Sequence, residues 1–210
     1  AKTKIAVLVS GGGTNLQALI DAQGSVLNSG EITLVVSNAR GAYALERGAK
    51  AGIPGYVIPR KQFDSNRAMT VALVEKLKEL EIDLVVLAGC MVIFTNELVE
   101  AYPNAVMNVH PALIPSFCGE GFYGLHVHEA ALAYGVKLSG ATVHFVSEEC
   151  DGGPIIAQKA VPVMENDTPE TLQRRIMEQA EWKLLPEAVS LFCQGRLSVN
   201  GRTVIIKEKD

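Results

Sequence analysis

Four cysteines, four histidines and one tryptophan are few for a chain of 210 residues, and their placement narrows the chemistry. Cys90, Cys118, Cys150 and Cys193 are widely spaced with no C-x-x-C pair. A zinc ribbon or a dithiol redox motif is thereby excluded, and reduced thiols are the simplest account. Cys118, His126, His128 and Cys150 match no zinc-module spacing, so no metal is expected. The chain also lacks an apolar run approaching the ~18 residues of a transmembrane helix. No signal-peptide pattern precedes the first apolar run. An excess of basic charge is missing as well: 19 Lys and Arg stand against 23 Asp and Glu, a net charge of −4. Nothing in that balance points to a nucleic acid or a membrane surface as partner. Repeats, linkers and low-complexity tracts are absent too. The expectation is one small cytoplasmic domain over residues 1–210, with an N-terminal half to about 110 and a C-terminal half from about 111.

What the chain does have is apolar residues, 48% of the total, in an alternating order of runs and amphipathic stretches. Ile5–Val9 is a continuous apolar run and predicts a strand buried on both faces. Helical spacing from Thr14 to about Leu27, a strand at Ile32–Val36, a helix at Ala42–Ala51 and a short strand at Gly55–Ile58 follow. Asp64 or Ser65 can cap a long helix through Leu80, with Val71, Leu73, Val74, Leu77 and Leu80 on its buried side. Asp83–Ala88 and Ala105–Val109 are the next strands. Such βαβα alternation predicts a parallel, doubly wound α/β sheet.

After Pro111 the pattern changes. Ser116–Gly124 carries three glycines and reads as a mobile loop, followed by a helix from about Leu125 to Tyr134. Ala141–Val146 and Ile155–Val163 are close enough to pair as antiparallel strands around Asp151. Thr168-Pro169-Glu170-Thr171 opens a helix with a cap, Pro at its first position and a capping-box-like Thr. That helix is expected to run to Gln194 with a bend near Pro186. Leu197–Val204 reads as a hairpin with an Asn200-Gly201 type I′ turn.

Two short stretches carry the chemistry. Asn108-Val109-His110-Pro111 places an amide and an imidazole on one face of a strand end, and Asp151-Gly152-Gly153-Pro154 places a carboxylate in a turn. An amide can donate to a developing oxyanion, an imidazole can carry a proton, and a carboxylate can set the imidazole's charge. The three can equally be a strand-capping Asn, a core His and a turn Asp, and spacing alone leaves both readings open. Upstream, Gly11-Gly12-Gly13-Thr14-Asn15 joins the first strand to the first helix, where free backbone N–H groups form an anion site. It lacks both G-x-G-x-x-G and the Lys-Ser/Thr of a P-loop, so a dinucleotide or nucleoside triphosphate is not favoured.

These stretches together resemble a known family. Met107–Pro115, Gly140–Val146 and Asp151–Ile156 are similar to signature segments of the 10-formyltetrahydrofolate-dependent formyltransferases. Ser10–Gln17 is similar to the phosphate loop of the branch acting on phosphoribosylglycinamide (GAR). The likeness runs from about residue 4 to about 196. It implies a Rossmann-like, mostly parallel sheet with a C-terminal antiparallel portion. It also implies 10-formyltetrahydrofolate and GAR as the small-molecule partners, in a monomer or homodimer. In the residue roles it implies, Asn108, His110 and Asp151 are catalytic, with Asp151 raising the His110 pKa. Gly13, Thr14 and Asn15 hold the GAR phosphate, and Glu181 its ribose hydroxyls. Asn66, Arg67, Met91, Val92, Ile93, Phe94, Asn108 and Cys150 fall on the folate side.

The chain departs from the family pattern at Val92, where many members have an arginine, and at Asn66, where a second basic residue is expected and Arg67 is next to it, which bears on the folate tail. The loop Phe117–Tyr123 is longer than in many relatives and reads as a lid or a surface insertion. His144 reads as a satisfied core histidine. Rival readings within the family are a formyltetrahydrofolate hydrolase and a methionyl-tRNA formyltransferase, each expected to carry a further domain. A noncatalytic folate- or nucleotide-binding sensor would not need the Asn108–His110–Asp151 set.

Overall fold

A computed structural model describes residues 1–209. Five strands pair in parallel, in the order β3-β2-β1-β4-β5: β1 (Thr3–Val9), β2 (Gly30–Ser37), β3 (Gly55–Val57), β4 (Leu84–Leu87) and β5 (Val106–His110). The two-residue period of a strand explains why Ile5–Val9 is apolar throughout. Ile5, Val7 and Val9 face a core that holds Leu16, Leu19, Leu184 and Leu185. Ala6 and Leu8 face the opposite one, with Met69, Leu73 and Leu77. The sheet is thus covered on both sides. Helices α1 (Thr14–Ala22), α2 (Tyr43–Lys50), α3 (Asn66–Glu79) and α4 (Glu97–Ala101) supply much of that cover.

Beyond β5 come α5 (Leu125–Tyr134), β6 (Leu138–Phe145), β7 (Ile155–Pro162), α6 (Pro169–Ile176), α7 (Trp182–Cys193), β8 (Leu197–Asn200) and β9 (Thr203–Ile206). Strand β6 runs antiparallel to both β5 and β7, and the full order is β3-β2-β1-β4-β5-β6-β7-β9-β8. The β8–β9 hairpin joins β7 through one register pair, Ile155 with Thr203. A third, smaller core forms under α5 and α6 from Ala131, Ala141, Val161, Leu172, Ile176 and Ala180.

The expected α/β sheet with an antiparallel C-terminal portion is what forms, and four local expectations change. Helix α1 stops at Ala22, because Gln23 is extended and Gly24 takes a left-handed φ of 82°. The Gln23 side chain then accepts from the Ile32 N–H at 2.9 Å. On α3, whose cap is Ser65, the buried face is Met69, Thr70, Leu73 and Leu77, while Val71 is exposed. The long C-terminal helix is interrupted one turn before Pro186 by a π-helical segment, Met177–Glu181. The hairpin loop is Gly201-Arg202, with Asn200 already paired to Thr203. Positive φ falls on Gly201 and not on Arg202, which suits a type II′ turn. The Thr168–Thr171 capping box forms as expected.

The topology fixes where a ligand can sit. Strand β1 has β2 on one side and β4 on the other, so the connections leaving β1 and β4 diverge and open a crevice at their carboxyl ends. The two loops are tied there: the Ser10 N–H donates to the Gly89 carbonyl at 3.2 Å, and the Met91 N–H donates to Ser10 Oγ at 2.7 Å. Asn108 and His110 end the neighbouring β5 at the same edge.

Close packing of β6 on β7 depends on Gly140. A Cβ there would lie 2.0 Å from the Lys159 carbonyl oxygen and 2.8 Å from Leu113 Cδ2. Gly140→Ala is expected to cost about 3 kcal/mol. The measurement is the urea midpoint, which should fall with an unchanged m-value.

Candidate active site

Asn108 and His110 are two residues apart on β5 and share a face. The antiparallel register sets His144 of β6 directly across from Asn108, so its ring joins the same face. Asp151 comes from the turn between β6 and β7, with a left-handed φ of 53°. That turn is tight: a Cβ on Gly153 would lie 1.8 Å from the Phe145 carbonyl oxygen. Folded back in this way, the Asp151 carboxylate reaches both imidazoles. Its Oδ2 is 3.6 Å from His110 Nδ1, and its Oδ1 is 3.6 Å from His144 Nε2. Asn108 Nδ2 lies 3.4 Å from His144 Nε2. His144 Nδ1 donates to the Phe145 carbonyl at 2.9 Å, since a carbonyl can only accept. His144 is thus the buried, satisfied histidine expected, and its Nε2 also stands between the Asn108 amide and the Asp151 carboxylate.

The loop after Pro115 closes over this cluster. His110 Nε2 donates to the Phe117 carbonyl at 2.7 Å, and the Gly119 N–H donates to Asp151 Oδ2 at 2.9 Å. Phe117 itself takes a left-handed φ of 49°. These contacts favour the lid reading of the loop over the surface insertion. Cys118 and Cys150 flank it. Cys118 Sγ donates to the Pro115 carbonyl at 3.4 Å, and Cys150 Sγ lies 3.9 Å from Asp151 Oδ2. Both thiols are pushed up, by burial first and by the Asp151 charge second, so they are poor thiolates.

Burial sets the charge states, and one expectation reverses. For His110 burial lowers the pKa, and the opposing pull of the Asp151 charge and the Phe117 carbonyl does not overcome it. The ring therefore titrates below the ordinary imidazole value, not above it. Asp151 is also buried, which raises its carboxyl. The His144 and Gly119 hydrogen bonds and the charges of both imidazoles outweigh that, and it stays below the ordinary carboxylate range. His128, fully buried on α5 behind the cluster, is pushed down to about 4 by burial and by His110.

At the β1–α1 turn, Gly13 caps α1 in a left-handed conformation, φ 81°. Thr14 starts the helix, and Asn15 turns inward to donate through Nδ2 to Glu181 Oε1 at 3.1 Å. Glu181 ends the π-helical segment, a feature common at functional sites. Burial lifts its carboxyl to about 7 against the pull of Asn15. Glu181 Oε2 and Asn15 Oδ1 are buried without a partner.

Along the other side of the crevice, Met91 and Ile93 project outward, the latter 74% exposed, while Val92 and Phe94 pack on the α3-side core. Asn66 Oδ1 accepts from Arg60 Nε, and the Arg60 guanidinium also donates to the Phe63 carbonyl at 2.7 Å. Arg67 Nε pairs with Glu97 at 2.8 Å, and the Thr95 N–H donates to Thr70 Oγ1 at 3.0 Å. The start of α3 is thereby fastened to the 91–97 loop. Asn66 and Arg67 have no direct bond to the catalytic cluster. Sequence reasoning missed the linking role of His144, whose signal was its strand register. It also missed the Phe117 and Gly119 backbone contacts and Arg60, which no motif marks.

Two tests follow from these charges. Asp151→Asn keeps the shape and removes the charge that holds His110 up, so an NMR titration should show the His110 pKa falling further. Turnover should drop by on the order of 10²–10³. The second concerns Glu181. Its folded carboxyl binds a proton more tightly than its ordinary 4.5 implies. The Glu181 contribution to stability should therefore fall as pH rises from about 4.5 to about 7 and level off above, while the depressed His110 and His128 contribute a slope of the opposite sign. Glu181→Gln removes only the Glu181 part, so the variant should gain on wild type as pH rises, by on the order of 3 kcal/mol or less at pH 8. Parallel denaturation curves between pH 4 and pH 8 would refute it.

Known proteins resemble this chain along nearly its whole length. The formyl transferase family model matches residues 3–189. Over 199 residues the chain is 41% identical to the chloroplastic phosphoribosylglycinamide formyltransferase of Arabidopsis thaliana, covering 93% of this chain and 67% of that protein. It is also 41% identical to the trifunctional purine biosynthetic protein adenosine-3 of Homo sapiens over 210 residues. That match covers 99% of this chain, which spans about a fifth of the human protein's length, 20%. The crystal structure of glycinamide ribonucleotide transformylase 1 from Symbiobacterium toebii superposes with a TM-score of 0.93 at 42% identity, covering 99% of this chain and 95% of that one. The chain belongs to the formyl transferase family.

Proposed function

We propose that the chain moves the formyl group of 10-formyltetrahydrofolate onto the glycinamide amine of GAR, giving formyl-GAR and tetrahydrofolate in de novo purine synthesis. The observation that carries this reading is that the Asn108–His110–Asp151–His144 cluster and the Gly13 loop, with its Asn15–Glu181 pair, both stand at the carboxyl edge of the adjacent parallel strands β1, β4 and β5. The loop offers backbone N–H groups and the positive end of α1 to a phosphate. Glu181 Oε2 and Asn15 Oδ1, buried acceptors without partners, suit the donor hydroxyls of a ribose. The exposed Met91 and Ile93 suit the apolar face of a pterin, with Val92 and Phe94 packed beneath them on the core and Cys150 beside Asp151. Asn66 and Arg67 then fall toward the folate tail, beside Arg60.

The residues divide the work as follows. Asn108 has an N–H to donate to the formyl oxygen as that atom gains charge. His110, carrying its proton on Nε2, is the second donor once the Phe117 carbonyl gives way. The GAR amine attacks the formyl carbon, the bond from that carbon to the folate nitrogen breaks, and one proton passes from the amine to that nitrogen. Asp151 makes the protonated imidazole accessible during that passage, and His144 keeps the carboxylate and the amide aligned. No covalent enzyme intermediate is needed, and the gain comes from positioning and electrostatics. On this reading the unit 1–210 acts on small molecules in the cytoplasm, as a monomer or homodimer.

The test is an assay of formyl transfer with both substrates. Formyl-GAR should form only when GAR and 10-formyltetrahydrofolate are both present. Folate consumption that proceeds equally without GAR would make the protein a hydrolase.

A further inference from the structure

Helix α2 lies beside the β1–α1 turn, and Arg47 is the side chain that reaches across. Its Nε donates to the Gly12 carbonyl at 2.7 Å, and its Nη1 donates to Gln17 Oε1 at 3.2 Å. The guanidinium stacks over the Tyr43 ring, 4.7 Å from the ring centre, which holds its plane. The packing around it is close: a Cβ on Gly13 would meet Ala44 Cβ at 2.9 Å and Arg47 Cδ at 3.3 Å. In a planar trans peptide the carbonyl and the following N–H point in opposite directions. Pulling the Gly12 carbonyl toward α2 therefore turns the Gly13 N–H away from α2, outward from the turn. The Gly13 carbonyl accepts the first bond of α1, from the Gln17 N–H at 2.8 Å. Arg47 thus grips both the peptide before the cap and the residue one turn into the helix.

We propose that Arg47 is a positioning residue for the phosphate of GAR: it fixes the Gly12–Gly13 peptide so that the Gly13 N–H faces the anion, and sets a positive charge behind it. The inference rests on the functional reading above and extends it to a residue outside the glycine loop. A flexible triple-glycine turn has many conformations to lose on binding, and an arginine fork removes that cost in advance. Lysine cannot replace the fork, because one ammonium cannot hold the Gly12 carbonyl and Gln17 in the same fixed plane.

The experiment compares wild type with Arg47→Met, which keeps the apolar stem, and with Arg47→Lys. Michaelis constants are measured for GAR and for 10-formyltetrahydrofolate, with inorganic phosphate as a competitive inhibitor against GAR. In Arg47→Met the constant for GAR should rise roughly ten- to a hundredfold. The inhibition constant for phosphate should rise in parallel, with the folate constant and the saturated turnover nearly unchanged. Arg47→Lys should recover only part of the loss. A matched rise for both substrates, or none, would overturn the proposal and leave Arg47 a general packing residue. Full rescue by lysine would show that charge alone suffices and overturn the positioning role. A wild-type enzyme that consumes folate but ignores GAR would fail at the first measurement, separating an error in the functional reading from an error about Arg47.

Discussion

One carboxylate organises the cluster at the end of β5. Asp151 is nearly buried, and a lone charge there would be costly; the Gly119 N–H donates to it, and two imidazoles stand 3.6 Å away, each attracting it when protonated. Each of those partners comes from a different element: His110 from β5, His144 from β6 and Gly119 from the loop that follows β5. Seating the charge therefore requires the β5–β6 register, the tight glycine turn and the covering loop to be correct at the same time. The site is preorganised because its charge leaves few other arrangements open.

Much of this could be read from residues alone, and the part that could not has a physical reason. The all-apolar Ile5–Val9 run told of a strand covered on both faces, and Ser65 and Thr168 marked their helix starts, because each signal is local. Val71 was placed on the wrong face because α3 presents a neighbouring stripe to the core, a choice made by what it packs against. The early end of α1 comes from an extended Gln23 whose amide oxygen reaches β2, a non-local bond. His144 sits in the Gly140–Val146 segment, where the apolar strand pattern reads as core. Its meaning came from facing Asn108, which depends on how two distant segments pair. The His110 pKa failed for a related reason: a nearby carboxylate was foreseeable, but the depth of burial was not.

The two substrate sides draw on different physical means. On the proposed reading the glycine turn recognises its phosphate through backbone N–H groups, fixed by α2 and α1, with little side-chain contribution. The opposite wall offers exposed apolar side chains and a set of arginines near the start of α3. Their partners differ: Arg67 is paired with Glu97, whereas the Arg60 guanidinium rests on neutral acceptors, Asn66 and Phe63. Charge on that wall is therefore unevenly neutralised, although the basic residues expected at Val92 and Asn66 are absent.

The nine strands are not joined with equal strength. β6 and β7 share a long antiparallel register, whereas the β8–β9 hairpin meets β7 through Ile155 and Thr203 alone. Such a seam behaves as a perforation in the sheet. Under a pulling force or a transient fluctuation, the hairpin can peel away while the crevice between β1 and β4 stays intact. Its amide protons would then exchange with solvent on a faster clock than those of the parallel strands, and damage at the tail need not reach the catalytic edge.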